Sequence, residues 1–300
     1  MQKIYDIIII GSGPAGLTAA VYSARYGLDT LVIGTLAGGL AGEAWEICNF
    51  PSYEKTSGFE LISKMITQVK NLGVEIKAEK VSEIKKIKNF EITTNKTKYF
   101  SKKIILATGS EKKSLGIDRE KELIGKGISY CSTCDSGFYK DKTAGVVGGG
   151  NAALTAALLL SKFAKKVYIL YRREKFSKAD DAWIKEIKRN EKIETIFNSV
   201  ITKLIGEKKL EAIELNNEKI LKIDGIFIEI GSDPQINLAK QLKIKLDKEE
   251  IAVDKFQKTS FEGVFAAGDV TNNSLKQIVT ACAEGAVAAK SAYDELEEEK

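Results

Sequence analysis

The stretch IYDIIIIGSGPAG, residues 4–16, decides the fold. Four consecutive isoleucines after Asp6 make an apolar run of strand length, the glycine cluster turns the chain, and the Ala-rich residues up to about 26 have helical composition. A second apolar run, TLVI at 30–33, completes a βαβ unit. The pattern recurs further on. AGVV at 144–147 leads into GGGNAA at 148–153, a helical segment runs to about 163, and VYILY follows at 167–171. The repeat is of whole domains rather than of a short solenoid motif. A length of 300 residues agrees with this, since about 150 residues per domain predicts two.

Each glycine cluster carries a dinucleotide fingerprint in the context it requires, with a strand before and a helix after. In GSGPAG, Gly11 permits the tight turn, Gly13 lets backbone approach a pyrophosphate, and Gly16 lets helix and strand pack closely. The helix N-terminus adds free N–H groups and partial positive charge. The position ending the next strand, where a ribose-binding carboxylate usually stands, is Gly34, so Thr35 or backbone groups must hold that ribose. In GGGNAA, Gly148, Gly150 and Ala153 take the same three roles. Its following strand ends in Tyr171-Arg172-Arg173, and guanidinium groups suit the 2′-phosphate of NADP, whereas an acidic residue there suits NAD. The competing reading is a pair of solvated arginines, with Glu174 neutralising part of their charge. Two such sites in one chain imply a tightly held flavin and an exchangeable nicotinamide.

The rest of the chain supplies secondary elements and a third motif. Residues 59–70 read as a helix, and 90–93, 98–100 and 103–107 as short strands of an antiparallel layer. A comparable set spans roughly 200–230, and residues 275–296 read as a terminal helix. If the last segment completes the first sheet, the second domain is an insertion crossed by linkers near 114–120 and 234–247. The motif is Cys131-Ser132-Thr133-Cys134-Asp135. A two-residue spacer lets two sulfurs form a disulfide, and a lowered thiol pKa makes an attacking thiolate. Half of a zinc site and inert buried thiols are the alternatives, but zinc needs a second such pair, and Cys48 and Cys282 are isolated and read as small core residues. Asp135 reads as the proton donor and acceptor for the pair, or else as a turn or helix cap.

Composition excludes other classes. There is no histidine, which removes His-based triads and His-ligated metal sites. Net charge is +5 with lysines scattered, so no nucleic-acid footprint is indicated. No run reaches the roughly 18 apolar residues of a membrane span, and four sparse cysteines point to the cytoplasm.

The ordered set GSGPAG, AGGL, NFP, ATG, CSTCD, GGGNAA, YRR, FIEIGSDP and GVFAAGDV resembles the low-molecular-weight thioredoxin reductases over essentially the whole chain. The resemblance implies an α/β fold of two Rossmann-like FAD/NAD(P)-binding domains of the three-layer ββα type, the second inserted in the first. Residues 1–114 and 245–300 would form the FAD-binding domain, and 115–244 the NAD(P)H-binding domain with the cysteine pair. FAD would lie along Gly11, Ser12, Gly13, Pro14, Ala15 and Gly16, with Gly34, Thr35, Gly38, Gly39, Leu40, Asn49, Ala107, Thr108 and Gly109 beside it. Gly268 and Asp269 would approach its ribitol and phosphate, and Lys276, Gln277 and Ile278 its isoalloxazine. NADPH, with NADH an option, would lie on Gly148, Gly150, Asn151, Ala152, Arg172 and Arg173. Cys134 would face the flavin, Cys131 would attack the protein substrate, and Asp135 would handle the proton. The implied partner is thioredoxin or a glutaredoxin-like protein, and the implied assembly is a homodimer.

Two departures bear on this. The family's HRRxxxR stretch is here Tyr171 to Ser177, without its first His and last Arg, and the family's GGQ is Gly38-Gly39-Leu40. The first leaves the NADPH preference open, so a thioredoxin reductase using another donor is an alternative, and an NAD(P)H oxidase that hands electrons to oxygen is a separate one.

Overall fold

A computed structural model describes residues 3–35, 37–44 and 47–300, the side chains of Thr133 and Cys134 excepted. The chain forms two compact units, residues 1–111 with 234–300, and residues 112–233.

In the first unit the strand Ile4–Ile10 lies at the centre of a sheet, parallel to Thr30–Ile33 on one side and to Lys98–Leu106 on the other. Glu75–Lys77 extends the first side, and Val264–Ala266 adds in parallel beside Lys98–Leu106. Successive strand side chains point to opposite faces, so a run of isoleucines is fully buried only when both faces are covered. Both are. Ile7 and Ile9 join a cluster with Leu17, Ala20, Ala288 and Ala292 from the helices Pro14–Arg25 and Ile278–Glu298. Ile8 and Ile10 join Ile84, Phe90 and Ile92 of the opposite layer. That layer is the antiparallel meander Val81–Lys86, Phe90–Thr94 and the first half of Lys98–Leu106. The two short runs read at 98–100 and 103–107 are therefore one nine-residue strand. It pairs antiparallel at its start with Phe90–Thr94, and parallel at its end with Val264–Ala266.

The second unit repeats the plan. Ile193–Phe197, Lys166–Tyr171, Thr143–Val147, Gly225–Ile228 and Ile128–Ser129 form a parallel sheet in that order. Asn151–Ser161 and Asp181–Arg189 lie on one face, and the antiparallel strands Ile201–Ile205, Ala212–Leu215 and Ile220–Lys222 on the other. The segment read as a linker at 234–247 contains the short helix Asn237–Gln241, and Ile236, Leu238, Ala239 and Leu242 are buried in the first unit's core. The terminal helix begins at Ile278 rather than near 275, because Gln277 caps it and the Gln277 N–H donates to Thr280 Oγ1 at 3.2 Å.

Candidate functional site

Both glycine clusters build the same cradle, one in each unit. Gly11 has φ +118°, and a Cβ there would stand 1.9 Å from the Ala107 carbonyl oxygen, so only glycine lets the turn after the first strand pass under residue 107. Gly13 caps the helix Pro14–Arg25 with extended backbone, no side-chain cap and no acidic residue in the first turn. The helix's leading N–H groups from Ala15 onward are left for an anion, and the N–H that Pro14 lacks at the first helical position would have had no partner within the helix. The Gly38 N–H donates to the Ser12 carbonyl at 2.8 Å, which brings Gly38, Gly39 and Leu40 to the turn. Gly34 explains its missing carboxylate. A Cβ there would be 2.5 Å from Ser12 Oγ and 2.8 Å from Ser12 N, so no side chain fits, and the exposed Thr35 is the next residue with a hydroxyl.

Long-range hydrogen bonds bring the other expected residues of this unit together. Thr108 Oγ1 donates to the Gln235 carbonyl at 2.8 Å, and the Gln235 N–H donates to the Gly109 carbonyl at 2.9 Å. Asn49 Nδ2 donates to Gln277 Oε1 at 2.8 Å across 228 residues, joining the loop around 49 to the start of helix Ile278–Glu298. Gly268 faces Ala15, where a Cβ would approach Ala15 Cβ to 3.0 Å. Its N–H is held by Glu284 Oε2 at 2.7 Å, and Thr271 Oγ1 donates to the Gly268 carbonyl at 2.8 Å. Glu284 is buried, and burial pushes its carboxyl above the usual value. The sequence reading missed it, because a carboxylate that braces a turn sixteen residues away leaves no local pattern. Burial also raises Asp269. Lys276 pairs with Glu250 at 3.1 Å and donates to the Thr271 carbonyl, which ties it into its own loop.

In the second unit Gly148 has φ +145°, and a Cβ there would stand 2.1 Å from the Glu229 carbonyl. Gly150 caps the helix Asn151–Ser161 with no side-chain cap and no acidic first-turn residue, so this helix also offers its N–H groups, with Ala152 in the first turn. Asn151 Nδ2 donates to Asp180 Oδ2 at 2.9 Å and the Asp180 N–H donates to Asn151 Oδ1 at 2.7 Å, pinning the loop after Arg173 to the helix start. Arg172 and Arg173 are exposed, and Arg173 donates to Ser177 Oγ at 3.1 Å. Among the described residues neither forms an ion pair with Glu174, so their charge is available to an anion. Tyr171, in place of the family's His, is buried and stacks on Phe176 at 5.7 Å. The residues of both cradles fit a dinucleotide.

Cys131 belongs to a disulfide and precedes the one-turn helix Ser132–Asp135. The Cys134 side chain lies outside the described residues. The Cys131 N–H donates to Ser129 Oγ at 3.0 Å, and the Asp135 N–H donates to the Cys131 carbonyl at 3.2 Å. Asp135 makes no side-chain cap to the turn that follows. Its charge is felt by Tyr139, whose hydroxyl is pushed up to about 12 by burial first and by Asp135 second. Cys48 and Cys282 lie outside any disulfide. The core reading of Cys48 is corrected, because it is exposed on the loop beside Asn49. Cys282 is half-buried with its thiol raised by burial. Among the described residues no group of His, Cys, Asp or Glu is placed to hold a metal, and no helix is long and apolar enough to cross a membrane.

The family model described as pyridine nucleotide-disulphide oxidoreductase matches residues 5–285. The chain is 38% identical to thioredoxin reductase of Listeria monocytogenes over 307 residues, covering 100% of this chain and 96% of that one. Among solved structures it is similar to thioredoxin reductase of Lactococcus lactis, with TM-score 0.93 and 36% identity over 98% of this chain and 99% of that one. It is equally similar to thioredoxin reductase of T. acidophilum, with TM-score 0.93 and 36% identity over 99% and 100% of the two chains.

Proposed function

The chain belongs to the pyridine nucleotide-disulphide oxidoreductase family, and from that premise we propose that it is a thioredoxin-disulfide reductase drawing electrons from NADPH through FAD to the Cys131–Cys134 pair. FAD and NADPH, when bound, supply the hydride acceptor and donor. Gly11, Gly13 and the N-terminus of helix Pro14–Arg25 hold the FAD pyrophosphate, and the Asn49–Gln277 pair and the Gly268 turn braced by Glu284 shape the flavin end. Gly148, Gly150 and the start of helix Asn151–Ser161 hold the nicotinamide dinucleotide, with Arg172 and Arg173 on its 2′-phosphate.

The observation that carries the reading is the disulfide at Cys131, immediately before the one-turn helix Ser132–Asp135, in the unit that also bears the second cradle. In the reduced pair the Cys131 thiolate attacks a sulfur of the substrate disulfide, forming a mixed disulfide and releasing one substrate thiolate. Cys134 then attacks Cys131 Sγ, which re-forms the protein disulfide and frees the second substrate thiolate. Asp135 takes the proton from the attacking thiol and returns it to the leaving one. The substrate is a thioredoxin or a glutaredoxin-like protein, and the working molecule is a cytoplasmic homodimer. Cys131→Ser and Cys134→Ser each abolish reduction of a thioredoxin disulfide while the flavin is still reduced by NADPH. Turnover of that disulfide by either variant overturns the assignment.

A further inference from the structure

Residue 130, next to the redox cysteine, is held at both ends by groups the proposed chemistry does not use. The Tyr130 hydroxyl donates to Glu120 Oε1, and the Tyr130 carbonyl accepts from Lys112 Nζ. Glu120 is 4% exposed and is fixed in turn, since Oε1 accepts the Leu115 N–H and Oε2 the Gly116 N–H, both at 2.8 Å. The Lys112 ammonium stands 3.7 Å from Glu229 Oε1, at the end of the strand Gly225–Ile228. The neighbouring Lys113 N–H donates to the Gly231 carbonyl at 2.9 Å. Residues 112–120 are the first of the inserted unit and 229–231 are close to its last, so both ends of the insertion are tied to the residue preceding Cys131. A buried carboxylate that accepts two backbone N–H groups is a rigid anchor, because moving it strands three hydrogen-bonding groups.

We propose that Glu120, Tyr130 and Lys112 form a positioning clamp that fixes the backbone at Cys131 and so favours its disulfide over the open dithiol. The inference rests on the redox reading of the cysteine pair. Opening the disulfide gives two thiols joined by a short loop, and closing it again requires the sulfurs to meet. A clamp at residue 130 removes freedom from one end of that loop in the dithiol state, so less entropy is lost on closure.

The test equilibrates the flavin-loaded full chain with glutathione buffers of defined ratio, traps the thiols by alkylation and counts them by mass. The exchange is balanced: two glutathiones give their electrons and protons to the protein disulfide and leave as one oxidised glutathione. Tyr130→Phe, which removes only the hydroxyl, and Lys112→Met, which removes the carbonyl's partner, are each expected to shift the equilibrium toward the dithiol by roughly three- to tenfold, the worth of one hydrogen bond. Thermal unfolding of the fully reduced variants reports any general loss of structure separately. An equilibrium equal to the unsubstituted protein's in both variants overturns the clamp, even if they are less stable. If the unsubstituted protein shows no glutathione-linked interconversion at Cys131, it is the redox reading that fails. If Tyr130→Phe does not fold, Lys112→Met alone decides.

Discussion

Arg172 and Arg173 stand exposed at the end of a buried strand, next to a loop that Asn151 and Asp180 hold to the second cradle. A charge-assisted hydrogen bond to a phosphate contributes about 1.5–3 kcal/mol, so replacing either arginine by alanine should raise the KM for NADPH about tenfold or more and leave that for NADH nearly unchanged. Equal losses for both nucleotides would contradict a 2′-phosphate contact. The arginine pair, the glycine turns and the cysteine spacing could be picked out in the sequence because each is a local pattern. The Asn151–Asp180 exchange and Glu284 could not be, because a hydrogen bond 29 or 16 residues long is specified by the fold that closes it. Cys48 shows the same limit, since residue type alone favours the core for cysteine while its place on a loop exposes it.

The strand Lys98–Leu106 carries the largest difference between the sequence reading and the structure at the level of elements. The runs read at 98–100 and 103–107 leave out Ser101 and Lys102, yet the strand continues through both, and the side chain of Lys103 just beyond them is only 4% exposed. Its ammonium meets Glu295 at 2.9 Å and Glu299 at 2.5 Å on the helix Ile278–Glu298, so the charge sits inside a clamp between strand and terminal helix. Burial pushes Lys103 down, but the bonds from Glu299 and Glu295 outweigh it and leave the ammonium above 10.5. Burial likewise pushes Glu295 up, and Lys258 and Lys103 outweigh that and leave its carboxyl below 4.5. A lowered carboxylate contributes stability above its unfolded value and loses it as pH falls through the folded one. Lys103→Met is therefore expected to cost about 1–3 kcal/mol at pH 7, between the values for exposed and buried pairs because Glu299 is half solvated. Denaturant unfolding should show this difference shrinking below about pH 4.5, where the carboxylates protonate and need no partner. A constant difference across that range would contradict the clamp.

The whole chain is a dinucleotide-type unit interrupted by a second of the same plan, with the strand Val264–Ala266 returning to the sheet that Ile4–Ile10 begins. The repeated order of strand, glycine turn, helix and strand made the two-unit architecture legible, because both faces of each parallel sheet must be covered and the apolar runs record it. The stretch at 234–247 was harder to read. Ile236, Leu238, Leu242 and Ile244 fill the first unit's core, although only Leu238 lies within the short helix Asn237–Gln241 and the run has little periodic pattern. The proposed function requires one chain to join a nicotinamide site, a flavin site and a dithiol into a single electron path. Anaerobic titration of the flavin-loaded protein with NADPH, following flavin absorbance while thiols are counted, tests it most directly. The flavin is expected to bleach and two thiols to appear, and with Cys131→Ser it is expected to bleach with no new thiols. A flavin that neither NADPH nor NADH reduces, or one that bleaches in the unsubstituted protein with no thiols released, would contradict it.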